Sequence, residues 1–120
     1  MPRFILLEHV GAPDDPLGRH FDLLLEDGDA CRTWRLSGIP AAGSAAVEAT
    51  PIAPHRLAWL DHIDGPVSGN RGHARRIDAG TFIWCESTAA PPQETVRVHL
   101  ASGLCRGELT IASGRARLSG

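Results

Sequence analysis

The sequence predicts an all-β fold, a compact single-domain β-barrel of about eight short strands. Three observations lead there. Glycine (13) and proline (9) punctuate the chain at short intervals. No segment keeps apolar residues at helical spacing over three turns. Between the breaks lie short runs rich in apolar and β-branched residues, spaced as in barrels and sandwiches. At 120 residues the chain fits one domain, a size at which a single core buries enough surface to be stable.

The first strand is expected at Arg3 to His9, where Phe4-Ile5-Leu6-Leu7 opens the chain. The second, His20 to Glu26, and the third, Ala30 to Leu36, are joined at Glu26-Asp27-Gly28-Asp29, because Asp-Gly accommodates the positive φ of a tight hairpin. Gly38 to Pro54, rich in Gly, Ala and Pro, reads as a long connection with one helical turn over Ala45 to Thr50. Further strands follow at Arg56 to His62, Ala74 to Ile77 and Thr81 to Glu86. A loop at Ser87 to Gln93 leads to Thr95 to Ala101 and Arg106 to Ala112, with a last short segment at Ala116 to Leu118.

Hydrophobic residues at 42% and charged residues at 22% are ordinary for a soluble protein, and the apolar runs are too short to span a bilayer. The opening apolar run stops at Glu8, too short and wrongly flanked for a secretory signal, so a cytoplasmic, monomeric protein is expected. Cys31, Cys85 and Cys105 are odd in number and widely spaced, which suggests buried free thiols and neither a disulfide framework nor a thiolate zinc site. A net charge of -2 argues against coating duplex nucleic acid, although a local phosphate pocket stays compatible with it. All 12 basic residues are arginine, which suits recognition of phosphate by the guanidinium fork and equally reflects a coding bias.

The chemistry concentrates at His20-Phe21-Asp22. Side chains at i and i+2 of a strand point the same way, their Cα atoms roughly 6.5 Å apart, so His20 and Asp22 can reach one ion. On that strand His20, Asp22, Leu24 and Glu26 share one face, and Phe21, Leu23 and Leu25 share the other. The second face is wholly apolar and must be packed. His9 ends the first strand on the face of Ile5 and Leu7. If the two strands are neighbours, two imidazoles and a carboxylate converge, a donor set suited to Mn²⁺, Zn²⁺ or Fe²⁺ with positions left for water or substrate. The competing reading is a surface hydrogen-bonded pair of His20 with Asp22.

His62 can serve as a general acid or base, or as a buried structural histidine. Arg56 would share a strand face with Ala58, Leu60 and His62 and so address the same phosphate. Arg71, Arg75 and Arg76 cluster after the Pro66 to Asn70 turn and read either as a solvated edge or as a phosphate-holding group. His55, His73 and His99 have no evident partner. His20 and Asp22 with a third ligand from His62 or His73 would instead form the facial triad of a non-haem iron oxygenase.

Phe4-Ile5-Leu6-Leu7-Glu8-His9, the run His20 to Gly28, Thr33-Trp34-Arg35-Leu36, the run Arg56 to His62, Gly80-Thr81-Phe82-Ile83-Trp84 and Leu104 to Leu109 occur in an order that resembles the 3'-phosphoesterase domain of DNA ligase D across nearly the whole chain. The resemblance implies a β-barrel that binds Mn²⁺ or a similar divalent ion and trims nucleic-acid 3' ends, removing a 3'-phosphate or ribonucleoside before ligation in DNA repair by end joining. It implies metal ligands His9, His20 and Asp22, an active-site histidine at His62 and an arginine at Arg56. Its partners would be nucleic-acid 3' ends and a DNA ligase or other end-joining protein.

Four departures stand against it. The family's arginine two residues after the aspartate is Leu24 here, and its tyrosine after the later histidine has no counterpart in a chain without tyrosine. An N-terminal arm that contributes to the family site is absent, and the spacer from His9 to His20 is longer than usual. The expected alternative to an enzyme is therefore a metal-containing module that binds DNA ends or a repair partner without turnover.

Overall fold

The computed structural model describes residues 1–88 and 94–120. Nine antiparallel strands alternate with short connections: β1 (Arg3–Val10), β2 (Arg19–Asp27), β3 (Ala30–Leu36), β4 (Val47–Arg56), β5 (Asp64–Pro66), β6 (His73–Ser87), β7 (Thr95–Leu100), β8 (Gly107–Ala112) and β9 (Arg115–Ser119). Their order is β1-β2-β3-β4-β9-β8-β7-β6-β5, and a further pairing of β1 with β6 closes the first eight-strand circuit into a ring. The all-β expectation holds, with nine strands in place of about eight.

Alternation builds the interior. Along β8 every second residue is buried, and β9 and most of β7 follow the same period. Phe4, Leu6, Phe21, Leu23, Leu25, Trp34, Leu36, Phe82, Val98, Leu100, Leu109 and Leu118 meet in one core drawn from every strand except β5. Each such side chain contributes roughly 1.5–3 kcal/mol by leaving water. The apolar face expected on β2 therefore packs inside the ring.

β1 and β2 are buried on both faces, a pattern a one-sided sheet would not show. On the outer face Ile5, Leu7, Leu24 and Cys31 form a second, smaller core with Leu60. Leu60 belongs to a 3₁₀ helix, Leu57–Asp61, which lies over this face. Arg3 holds the helix in place, donating from Nη2 to the Leu60 carbonyl (3.0 Å) and pairing with Asp61 (2.8 Å).

The 3₁₀ helix corrects the strand expected over Arg56 to His62: β4 ends at Arg56 and the next five residues coil. Leu60 is buried in the second core with Leu57 and Trp59 packed against it, while Trp59 also lines a pocket with Arg56 and His62. The long connection expected over Gly38 to Pro54, with its helical turn, gives way to β4 from Val47 onward. β4 meets β9 only at Val47↔Ala116 and Glu48↔Arg115. A strand with one neighbour along most of its length accepts proline, which explains Pro51 and Pro54.

The two strands expected around Asp78-Ala79-Gly80 are one long β6, paired with β1 along its first part and with β7 along its second. Asp78 is not a turn residue. Its buried carboxylate accepts the backbone N–H groups of Leu104 (2.8 Å) and Cys105 (2.7 Å), fixing the β7–β8 connection. The β2–β3 hairpin forms as expected, closing at Asp27↔Ala30 with Gly28 at φ 69°. Of the three free cysteines, Cys31 and Cys105 are buried, but Cys85 is exposed, contrary to expectation. Burial and the neighbouring Asp78 push the Cys105 thiol up to about 12. Of the loop expected at Ser87 to Gln93, residues 89–93 lie outside the described residues.

Candidate metal centre

Antiparallel pairing of β1 with β2 sets His9 opposite His20 and Leu7 opposite Asp22. Directly opposed residues project from the same face, so His9, His20 and Asp22 converge just beyond the second core. Their ligand atoms all lie within 4.8 Å of one another, and among the described residues this is the one group of three or more His, Cys, Asp or Glu side chains able to hold an ion. The site stands on the outer face of the ring and not in its interior, which the large core fills.

The surrounding hydrogen bonds select the histidine tautomers. A carbonyl oxygen can only accept, so His9 Nε2–H donates to the Arg71 carbonyl (2.7 Å), and Nδ1 is left as the free lone pair, 3.4 Å from Asp22 Oδ2. His20 Nδ1–H donates to Asp15 Oδ2 (2.9 Å), leaving Nε2 3.2 Å from Asp22 Oδ1. Those last two atoms are buried and face each other as an ion pair, with no other hydrogen-bond partner. Each atom keeps bonding capacity that its one partner does not use, and a divalent ion between them would meet both. Two imidazoles oriented by an outer carboxylate and an outer carbonyl, facing a buried aspartate, fit Mn²⁺ or Zn²⁺.

Burial opposes charging His20, but its contacts with Asp22 and Asp15 outweigh that and raise its pKa above 6.5, with Arg35 pulling the other way. Asp15 is held below the usual carboxylate range, chiefly by its hydrogen bond to His20. A proton on His20 Nε2 is thus the competitor that a metal must displace.

Gly72 makes the His9 contact attainable. It adopts φ 89°, and a Cβ there would lie 2.0 Å from the Val10 carbonyl oxygen, so only glycine lets this backbone press against β1 and bring the Arg71 carbonyl to His9.

Beside the triad opens a pocket of about 510 Å³ whose wall includes His9, Asp22, Arg35, Arg56, Arg71, Ile52, Pro54 and Trp59. Two of the expected arginines, Arg56 and Arg71, thus stand with the metal ligands. Arg71 is braced by the Ser68 carbonyl (2.7 Å). The other two do not line the pocket. Arg75 lies opposite Glu8, on the other face of β1, and pairs with it at 3.0 Å. Arg76 donates to the His62 carbonyl (2.9 Å). His62 lines a second pocket of about 260 Å³ that shares Arg56 and Trp59 with the first, and its Nε2–H donates to the Ala74 carbonyl (2.8 Å). The strand face expected to carry Arg56, Ala58, Leu60 and His62 does not form, and Leu60 is buried in the second core, although Arg56 and His62 line one pocket. His73 pairs with Asp64, and His55 lines the larger pocket.

Asp15, Arg35 and Trp59 were not singled out by the sequence reading. Arg35 was accessible to it: counting back from the hairpin closure at Asp27↔Ala30 places Arg35 opposite Asp22 on the metal face. Asp15 sits in the irregular β1–β2 connection, where no periodicity indicates a direction. Neither protein-family models nor curated proteins give a match to this chain.

Proposed function

We propose that the protein is a divalent-metal-dependent phosphoesterase acting on nucleic-acid 3' ends, removing a 3'-phosphate or 3'-ribonucleoside in DNA repair and end joining. The observation that carries this reading is the buried His20 Nε2 and Asp22 Oδ1, which have only each other at 3.2 Å, beside a pocket lined by three arginines. His9, His20 and Asp22 would hold the ion, Mn²⁺ or Zn²⁺. When bound, such an ion polarises a phosphoryl oxygen and lowers the pKa of water. Arg56 and Arg71 offset phosphate charge from the pocket wall. With Nε2–H given to Ala74, His62 keeps Nδ1 free, so its tautomer suits accepting a proton and not donating one. The protein would act in the cytoplasm as a monomer, alongside a DNA ligase or other end-joining partner.

The test is Mn²⁺-dependent release of phosphate from a 3'-phosphorylated oligonucleotide. Release is expected from the intact protein and only background from His20→Ala; equal rates would remove the enzymatic reading. A second reading, a metal-containing module that binds DNA ends or a repair partner without turnover, is favoured by Leu24. It is fully buried in the second core where the resemblance implies an arginine. Metal-dependent binding of the 3'-phosphorylated end with no phosphate released would select that reading.

A further inference from the structure

We infer that the pocket beside the triad takes a whole terminal nucleoside 3'-phosphate, the phosphate anchored by Arg35 and the base lying against Trp59. The inference rests on the reading of the triad as a phosphoester site, and it adds what that site grips.

Arg35 carries the phosphate end. It is the cross-strand partner of Asp22, and it lines the same pocket as His9 and Asp22. Its Nε–H is buried and has no hydrogen-bond partner. Its Nη2 reaches the Asp14 carboxylate only at 3.2 and 3.4 Å, and the Asp14 side chain is 73% exposed. A guanidinium with one donor unmet and another loosely held, next to a cation site, suits a phosphoryl oxygen, which accepts strong charge-assisted hydrogen bonds.

The size and lining of the pocket carry the other end. At about 510 Å³ it lies in the range of small-molecule sites and exceeds what a phosphate group fills. The wall also includes Ile52, Pro54 and Trp59, with His55 and Arg56 from the same stretch of chain. The indole is positioned from behind by the His62 ring at 4.7 Å and by the 3₁₀ helix that carries it. A pocket that combines an aromatic ring and apolar side chains with cationic ones is an arrangement that accepts a base by stacking, whichever base it is.

The experiment is calorimetric titration of the Mn²⁺-loaded full chain with two probes, inorganic phosphate and adenosine 3'-monophosphate. The wild-type protein is expected to bind the nucleotide more tightly than phosphate. Trp59→Leu, which keeps apolar bulk, should weaken the nucleotide about 10-fold or more while leaving phosphate unchanged, as loss of base stacking predicts. Arg35→Gln should weaken both probes. Circular dichroism of each variant separates these effects from loss of fold, and Trp59→Phe should recover nucleotide affinity. Phosphate binding without preference for the nucleotide, or equal loss of both probes in Trp59→Leu, overturns this proposal and leaves the phosphoester reading standing. Binding of Mn²⁺ with neither probe bound overturns both.

Discussion

Asp15 orients the candidate metal centre without belonging to the triad. Its carboxylate accepts the hydrogen bond from His20 Nδ1–H and thereby leaves Nε2 facing the site. Outer partners of this kind commonly account for 10- to 100-fold in metal affinity. Asp15→Ala is therefore expected to weaken Mn²⁺ binding by about that factor while the far-ultraviolet circular dichroism stays that of the parent; calorimetry reads it directly. His20 adds a pH signature. Its folded pKa is raised above 6.5, so in the protein without metal its charged form stabilises the fold in full below about 6.5, and this is lost as pH rises through the raised value. Thermal midpoints without metal should accordingly fall across that window. Saturating Mn²⁺ should reverse the trend, because the ion needs the neutral ring, and His20→Gln should abolish both slopes.

Among the elements, the 3₁₀ helix joins the outer core to the pockets. Leu60, only 3% exposed, seats it on Ile5, Leu7 and Leu24, and Trp59 and Leu57 ride on the same turn. Leu60→Ala is expected to cost about 2–4 kcal/mol in denaturant unfolding and to lower affinity for any ligand of the larger pocket. A surface-like loss below about 0.5 kcal/mol would show that the helix is not seated through this residue. This element also marks how far the sequence could be read. Alternation in Phe21, Leu23 and Leu25 against His20, Asp22 and Leu24 identified both faces of β2, and Asp-Gly identified the hairpin, because a period of two and a positive φ are local properties. Arg56 to His62 carries the apolar content of a strand, and only its seat on another element decides that it coils. β4 was hidden by Pro51 and Pro54, which signal a loop unless the strand is known to lack a second neighbour. The triad was legible because its two strands are adjacent in both sequence and space; the setting of Arg75 and Arg76 was not, because clustering in sequence does not specify a face, and Arg75 comes to lie opposite Glu8 and Arg76 opposite Leu7.

At the scale of the whole molecule, the ring separates folding from chemistry. The large core fills the interior with side chains from eight strands, while the triad, the pockets and the second core are built on β1, β2, β3, β4 and the segment that follows β4. Among the described residues no helix is long and apolar enough to cross a membrane. Closure of the ring depends on distant pairings, Phe4 with Gly80 and Val47 with Ala116. The three ligands instead come from residues 9 to 22 of one antiparallel pair. Contacts of short sequence separation form before those that must close long loops. A cation captured there would act as a clasp on the first two strands before the rest of the circuit assembles, so refolding begun with Mn²⁺ present should be faster than refolding in chelator. The same rate in both would mean that the clasp closes only after the ring has.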